Sequence, residues 1–249
     1  MNLSATLLMG LFGLVMGSFL NVVALRMPAG KSMITPRSHC TSCQTTLRPF
    51  ELIPVISFLF LRGRCRYCGT RLALYYPLVE VGTAILYVLA YEQFGWSLEL
   101  LTALPLLSIL VAITHIDLRL KLIPDIITFP GMIYFAVLRL FYRTDPWWDY
   151  VLGFIVAGGL LLLIAVVSRG GMGGGDIKLM AMTGLAIGWK WALLAFLFAT
   201  LIGGLVGLAL LLFKMAGRKD AIAFGPYLAI GIAVSYVWGD AIWHWYWTM

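Results

Sequence analysis

The sequence predicts an all-α polytopic membrane protein with about eight transmembrane helices and a small, zinc-stapled cytoplasmic loop domain. Three observations lead to this fold class. Hydrophobic residues make up 61% of the 249 residues and charged residues only 12%, whereas a soluble globular domain is about a quarter charged. The mean hydropathy is +0.94. The apolar residues are also gathered into long runs, many of them near the ~18 residues that indicate a transmembrane helix.

Eight apolar runs are the candidate spans. They cover residues 3–25, 74–91, 98–116, 126–142, 150–168, 177–189, 191–213 and 221–247. The first run has no basic segment before it and is longer than the apolar core of a secretory signal, so we expect it to be retained as a span. Gly13 and Gly17 in this run have the G-x-x-x-G spacing that favours close helix packing.

The basic residues predict which ends of the spans face the cytoplasm. The segment 26–73 carries eight of the 18 lysines and arginines. Seven more fall on the same side if the spans alternate: Arg119, Lys121, Arg169, Lys178, Lys214, Arg218 and Lys219. Because cytoplasmic loops are enriched in Lys and Arg, we expect this side to be cytoplasmic and both termini to face outward. The net charge of +7 then reflects this bias and attraction to anionic lipid, and it requires no nucleic-acid partner.

All four cysteines lie in the predicted cytoplasmic loop. Cys40 and Cys43 form one C-x-x-C pair, and Cys65 and Cys68 form a second pair after 21 intervening residues. Two residues between thiolates let one tight turn present both sulfurs to a single ion, so the two pairs match a tetrahedral four-cysteine zinc site. Two disulfides are the alternative, but the cytoplasm is reducing and favours zinc. Four cysteine ligands leave no open position on the metal, so its expected role is structural.

Between the two cysteine pairs lies the apolar stretch LIPVISFLFL, residues 52–61. It is too short to span a bilayer, so it either packs as a small core or lies in the membrane interface. In both cases, zinc would staple a domain that is too small to be stable by itself.

Acidic residues in or beside the spans are the candidate functional groups, because a charge in a bilayer is costly. With alternating spans, Asp117, Asp125 and Asp176 share one depth on the cytoplasmic face, whereas Asp240 lies toward the opposite face. Two carboxylates held close together share one proton. The ionised group can take a proton from water while the protonated group polarises a peptide carbonyl. This is the chemistry of an aspartic protease.

Each of these aspartates could instead cap a helix, and Asp125, which follows a proline at a span start, suits an N-cap. Asp176 differs, because it is preceded by Gly173, Gly174 and Gly175, which a cap does not require. The missing Cβ atoms would let a substrate backbone approach the carboxylate. A phosphate-binding loop ranks lowest, because the pattern G-x-x-x-x-G-K-[ST] is not found in the sequence.

These segments resemble a known family. The run Gly173-Gly174-Gly175-Asp176 fits the G-x-G-D signature of intramembrane aspartyl proteases, and DLR (117–119) followed by IPD (123–125) resembles the first-aspartate segment of the type IV prepilin peptidases. In the N-terminal half, GSFLNVVALRMP (17–28), the two C-x-x-C pairs and YYPLVE (75–80) resemble the amino-terminal domain of the bifunctional prepilin peptidase/N-methyltransferases. The resemblance covers essentially the whole chain, with its motifs in the order of the family.

The resemblance implies that Asp117 and Asp176 are the catalytic pair of a membrane aspartyl endopeptidase in the bacterial cytoplasmic (inner) membrane. The expected substrates are type IV prepilins or pseudopilins, whose basic leader would be removed at the cytoplasmic face. The new N-terminal residue would then be methylated, with S-adenosylmethionine as the donor. The expected partners are these substrate helices, of type IV pilus or type II secretion systems, and membrane lipid. Substrate-binding roles fall to Gly173, Gly174, Gly175 and Asp125.

We expect residues 1–95 to form the methyltransferase half and residues 96–249 a six-span peptidase domain. No S-adenosylmethionine pocket is indicated, because no Rossmann glycine fingerprint follows a strand. Glu51 and Glu80 are the acidic residues considered for the methyltransferase half, and Glu51 is a candidate for guiding the basic leader. For this half alone, a zinc-organised scaffold without catalysis also fits the sequence.

A proton-coupled membrane transporter that uses Asp117, Asp125 and Asp176 as a relay is the alternative function. A relay needs carboxylates at several depths of the bilayer. The three aspartates are predicted to share one face, which favours the peptidase.

Overall fold

The computed structural model describes residues 2–215 and 223–248, and these residues form eight α-helices. Arg218 and Lys219, which belong to the predicted basic face, lie outside the described residues, as do the first two residues of the eighth predicted span. The helices are α1 (Leu3–Arg26), α2 (Ile56–Phe60), α3 (Tyr75–Phe94), α4 (Leu100–Leu120), α5 (Asp125–Phe141), α6 (Trp147–Val167), α7 (Gly174–Leu212) and α8 (Gly225–Thr248). A short 3-10 helix covers Pro49–Leu52.

Four of the described helices, namely α1, α4, α6 and α7, are long and apolar enough to cross a membrane. This confirms the predicted class, an all-helical membrane protein. Helices α3, α5 and α8 coincide with three further apolar runs of the sequence. The chain divides into two compact units, residues 1–112 and 113–249.

In the first unit, α1 packs closely against α3. A Cβ atom at Gly17 would lie 2.6 Å from the Cα atom of Glu80, and a Cβ at Gly13 would meet the backbone of Ala84. Farther along α1, the side-chain amide of Asn21 donates a hydrogen bond of 3.1 Å to the carbonyl of Tyr76. Residues later in α1 therefore contact residues earlier in α3, so the two helices are antiparallel. The predicted close packing at the two glycines is confirmed.

In the second unit, α7 is interrupted at Gly188, whose φ of 82° and ψ of 170° are not helical. The part after the break packs against α8. The hydroxyl of Ser235 donates to the carbonyl of Trp191 at 2.7 Å, and Gly203 lies against the ring of Tyr227. This part and α8 are therefore antiparallel.

The two parts of α7 also run in opposite directions. Asp117 accepts a hydrogen bond from Gly225, the first residue of α8, and it interacts electrostatically with Asp176 near the start of α7. The start of α8 also lies beside Gly203. A straight helix would hold residues 176 and 203 about 40 Å apart, so the chain must turn back at Gly188. The sequence predicts two segments here, 177–189 and 191–213, and the structure agrees.

Buried polar groups complete the turn at Gly188. The guanidinium of Arg139 donates from Nε and Nη2 to the carbonyl of Ala186, at 2.9 and 2.6 Å. The carboxylate of Asp149 accepts hydrogen bonds from the backbone and the indole N–H of Trp189. A Cβ at Gly188 would collide with Asp149. Two of the backbone groups that a helix break leaves without partners, the carbonyl of Ala186 and the N–H of Trp189, are thus satisfied by side chains.

Candidate functional site

Two turns of the same shape present the four cysteines. In each turn, the N–H of the residue after the second cysteine, Gln44 or Gly69, donates to the carbonyl of the first cysteine at 2.9 Å. Both of these residues have positive φ, 58° and 72°. The N–H of the first cysteine donates to the carbonyl of Thr45 or Thr70, at 3.0 and 2.8 Å. The sequence carries this repeat as C-x-x-C-x-T, a signal that cysteine spacing alone does not reveal.

The sulfur atoms of the four cysteines are arranged as metal ligands. All four lie within 4.8 Å of one another, with Cys40 Sγ 3.8 Å from Cys68 Sγ and Cys43 Sγ 4.0 Å from Cys65 Sγ. Zn–S bonds of about 2.3 Å in a tetrahedron place sulfurs about 3.8 Å apart, whereas a disulfide requires about 2.0 Å. The four cysteines are free thiols, so the structure supports a metal site over two disulfides.

Hydrogen bonds favour the thiolate form of two of these cysteines, and the thiolate is the form that binds metal. The side chain of Thr70 lies 3.3 Å from Cys68 Sγ and lowers the pKa of Cys68 to about 6. The backbone N–H of Cys43 lowers the pKa of Cys40.

Asp117 lies in the last turn of α4 and is buried, with only 5% of its surface exposed. Its Oδ2 accepts a hydrogen bond of 2.9 Å from the N–H of Gly225, at the start of α8. A Cβ at Gly225 would lie 2.7 Å from the same oxygen. The N-terminus of a helix carries partial positive charge, so the start of α8 orients the Asp117 carboxylate.

Asp176 is the third residue of α7. Its carboxylate turns back to the backbone N–H of Gly173, the N-cap residue, and interacts electrostatically with Asp117. The end of α4 and the starts of α7 and α8 thus bring together the two aspartates that the sequence predicts as a pair.

Asp125 is the first residue of α5, and Pro124 occupies the N-cap position without a side-chain cap hydrogen bond. The N-cap prediction for Asp125 is therefore wrong. Its two carboxylate oxygens both lie 2.7 Å from the ammonium of Lys178, which also lies over the ring of Phe129 at 5.2 Å. This ion pair ties the start of α5 to the second turn of α7.

The three glycines before Asp176 have different surroundings. A Cβ at Gly175 would lie 2.7 Å from the Cβ of Ile123 and 3.3 Å from its carbonyl oxygen. A Cβ at Gly173 would lie 3.0 Å from the Asp176 carboxylate, whereas one at Gly174 would have no neighbour of the described chain within 4 Å. Packing within the protein accounts for Gly175. Gly174 is the glycine whose surroundings leave room for another chain.

Both acidic residues considered for the first unit hold backbone N–H groups. Glu80 is buried and accepts a hydrogen bond of 2.7 Å from Val55. Glu51 is also buried and accepts from the N–H of Arg48 at 2.7 Å and the hydroxyl of Tyr67 at 3.4 Å. Because Glu51 is buried within the loop, the structure gives no support to the prediction that it guides a leader peptide.

Gly225 is the residue near the aspartates that the sequence patterns did not indicate. It lies 108 positions after Asp117, so no local spacing connects the two. The available signal is the dipeptide Gly225-Pro226 at the start of the last apolar run, because proline favours the first turn of a helix.

The chain matches known protein families in both halves. Residues 11–94 match the family described as the bacterial peptidase A24 N-terminal domain. Residues 104–208 match the type IV leader peptidase family. The four cysteines lie within the first match, and Asp117, Asp125 and Asp176 lie within the second.

Several relatives resemble the chain over nearly its whole length, and each carries the name prepilin leader peptidase/N-methyltransferase. The relative from Bacillus subtilis is 40% identical, over 93% of this chain and 94% of its own length. The relative from Pseudomonas putida is 37% identical, over 92% and 89%. The relative from Aeromonas hydrophila is 36% identical, over 96% and 92%. No solved structure matches the chain. On these grounds, the chain belongs to the type IV leader peptidase family.

Proposed function

We propose that this protein is a bifunctional enzyme of the bacterial inner membrane. As an aspartyl endopeptidase, it removes the leader of type IV prepilins or pseudopilins at the cytoplasmic face. As a methyltransferase, it then N-methylates the newly exposed N-terminal residue. The names of relatives that align along most of the chain support this function. The observation that carries it is the electrostatic interaction between Asp176, near the start of α7, and Asp117, which is held by the start of α8.

Asp117 and Asp176 are the proposed catalytic pair, with one shared proton between them. The N–H of Gly225 favours the ionised form of Asp117. In this form Asp117 takes a proton from water while the water oxygen attacks the scissile carbonyl carbon, and Asp176 gives its proton to the carbonyl oxygen. The tetrahedral intermediate then breaks its C–N bond as the nitrogen takes the proton held by Asp117, and Asp176 takes back a proton from a hydroxyl of the intermediate. The products are the leader's carboxylate and the new N-terminal amine.

The residues around the pair receive supporting roles in this proposal. Gly174 is the proposed contact for the substrate backbone, since the chain leaves room there. Gly173 and Gly175 set the position of Asp176, the first by its N–H and the second by its close approach to the loop before α5. The ion pair of Asp125 with Lys178 holds the starts of α5 and α7 together.

We assign zinc to the four-cysteine site, because the spacing of its sulfurs fits tetrahedral zinc. With four cysteine ligands, the metal would hold the two turns of the loop together and would have no open position for chemistry. The proposed methyl donor, S-adenosylmethionine, supplies a methyl group that replaces a proton on the new N-terminal amine.

The family and the geometry favour the peptidase over the transporter alternative. Asp117 and Asp176 interact electrostatically, as expected for a hydrolytic pair, and Asp125 is paired with Lys178. Asp240 lies 15 residues after the start of α8, about 22 Å along the helix. It is therefore far from the end of α8 that contacts Asp117.

The test is to incubate the purified enzyme in lipid with a prepilin and a labelled methyl donor, and to score cleavage and methylation separately. We expect Asp117→Asn and Asp176→Asn each to abolish cleavage, because a neutral amide cannot share the proton. Both variants should still methylate a substrate that has been cleaved beforehand. Asp240→Asn is the control and should cleave normally. Normal cleavage by either pair variant would refute the catalytic assignment.

A further inference from the structure

We infer that the segment Ile53–Phe60 of the first unit anchors the cysteine loop in the membrane interface, with its apolar side chains inserted between the lipids of an anionic bilayer. This surface contact is distinct from the proposed peptidase and methyltransferase activities. It concerns the apolar stretch for which the sequence leaves open a small protein core or the membrane interface.

The segment does not form a protein core, because most of its apolar side chains are exposed and only Val55 and Phe58 are half-buried. Helix α2 buries none of its five residues. The exposed fractions of the other apolar side chains, with the residue before the segment, are Leu52 41%, Ile53 42%, Ile56 50%, Leu59 68% and Phe60 85%. A monomeric soluble protein rarely exposes such a contiguous apolar patch, and in a membrane protein lipid can cover it.

A hydrogen bond fixes the depth of this segment along the first unit. The N–H of Val55 donates to Glu80, in the second turn of α3, at 2.7 Å. Glu80 lies in turn against Gly17 of α1. Val55 therefore lies beside the helix pair and not beyond its end, since α1 continues for nine residues from Gly17 to Arg26.

The length of α1 relates that depth to the edge of the hydrocarbon. A helix of 24 residues is about 36 Å long, and the hydrocarbon core of a bilayer is about 30 Å thick. The last turn of α1 thus extends into the headgroups if the helix crosses the membrane. The nine residues from Gly17 to the end of α1 rise about 13 Å, so Val55 lies about 10 Å inside the edge of the hydrocarbon, at the depth to which amphipathic interfacial segments insert.

The charges around the segment fit an anionic surface. Arg48, Arg62, Arg64 and Arg66 flank it in the sequence, and all four are exposed. Arginines beside an inserted apolar segment are attracted to anionic headgroups, and each one near the surface strengthens binding. The combination of an apolar centre and a basic rim favours an anionic bilayer over a peptide with a basic leader.

Site-specific photocrosslinking tests this contact in the full-length protein. A benzophenone side chain is placed at Phe60, or in a second variant at Leu59, and the protein is reconstituted in vesicles that contain phosphatidylglycerol. The control position is Tyr67, an aromatic residue of the second cysteine turn that is 43% exposed. After illumination, phospholipid adducts are quantified by mass spectrometry, in the presence and absence of a prepilin.

We expect positions 60 and 59 to form lipid adducts at a yield at least about fivefold above position 67, because only an inserted side chain meets acyl chains. The yield should fall in vesicles of phosphatidylcholine alone, which lack the negative headgroups. Adducts mainly to prepilin, or to a second copy of the chain, would overturn the inference. So would equal lipid yields at positions 60 and 67, or a yield that is independent of headgroup charge.

Discussion

A single backbone N–H, that of Gly225, connects the start of α8 to the Asp117 carboxylate. The contact requires glycine for a steric reason. A Cβ at this position would lie 2.7 Å from Asp117 Oδ2 and 3.1 Å from Cγ, and carbon atoms do not approach an oxygen this closely without displacement. The position of one proposed catalytic group is therefore set by a residue that has no side chain.

We predict that Gly225→Ala lowers kcat for leader cleavage by about 10- to 100-fold, because a displacement of about 1 Å at a reacting group costs this much. The KM for the prepilin should change little, since the substitution lies on the side of Asp117 that faces α8. Single-turnover cleavage at saturating substrate would measure the effect.

The control for this substitution is Gly159→Ala in α6, where a new Cβ would have no described neighbour within 4 Å. This variant should cleave at the normal rate. If Gly225→Ala cleaves as fast as the control, the contact with α8 does not position Asp117.

At the level of residues, the sequence indicates Asp117 and Asp176 because each stands in a local pattern, and the structure brings the two together. From the sequence, all three glycines before Asp176 are explained by room for a substrate backbone, whereas in the structure Gly175 is accounted for by contact with Ile123. The sequence offers an N-cap as an alternative role for Asp125, whereas the partner of this side chain is Lys178, 53 positions away. A local pattern shows which residue types are present, but the partner of a side chain depends on packing between distant helices.

At the scale of elements, the turn within α7 depends on a buried cation. Arg139 is only 4% exposed, and it directs two N–H groups at the carbonyl of Ala186, just before the break at Gly188. It also lies over the ring of Tyr150 at 4.8 Å. Arg139 therefore joins α5, α6 and the first part of α7.

We predict that Arg139→Leu destabilises the protein by about 2–4 kcal/mol, because it leaves a buried carbonyl without its charged donor. Thermal unfolding in detergent would show a lower Tm. Arg143→Leu, at an exposed position shortly after α5, is the matched control and should unfold near the wild-type Tm. A Tm for Arg139→Leu as high as that of the control would show that the turn does not depend on this cation.

The sequence locates this turn within two residues, because Lys190 interrupts the apolar run there, whereas the break lies at Gly188. It does not reveal the partners of the turn. Arg139 is 47 positions from Ala186, so no local spacing connects the two.

At the scale of the whole molecule, the candidate metal site and the candidate catalytic pair belong to different compact units. The four cysteines lie in the unit of residues 1–112, and Asp117 and Asp176 lie in the unit of residues 113–249. We therefore expect the two proposed activities to respond differently to loss of the metal.

We predict that the purified protein binds about one zinc ion per chain, as a four-cysteine site implies. Removal of the metal by a chelator should abolish methylation, because the two cysteine turns of the loop would no longer be held together. Leader cleavage should persist. Metal analysis together with the two separate assays would measure this. The double variant Cys40→Ser, Cys65→Ser should reproduce the effect without a chelator. Loss of cleavage in parallel with methylation would show that the second unit also depends on the metal.

The sequence predicts the helical class well, because each apolar run of the described chain coincides with a helix. The boundary between a methyltransferase half, residues 1–95, and a peptidase domain, residues 96–249, stays a prediction. The compact units meet at residues 112 and 113, inside α4. The first part of this helix is tied to α3 by the hydroxyl groups of Tyr87 and Ser108, 2.7 Å apart, whereas its last turn carries Asp117. Because the sequence shows only where apolar runs begin and end, it places a boundary between two spans and does not indicate one inside α4.

The contact between α8 and Asp117 has a consequence for biosynthesis. A ribosome makes both aspartates before it makes Gly225, which follows Asp117 by 108 residues. A nascent chain that has just emerged past α7 thus carries both carboxylates without the N–H that orients the first of them. The proposed hydrolytic centre is therefore complete only after α8 has been synthesised and inserted.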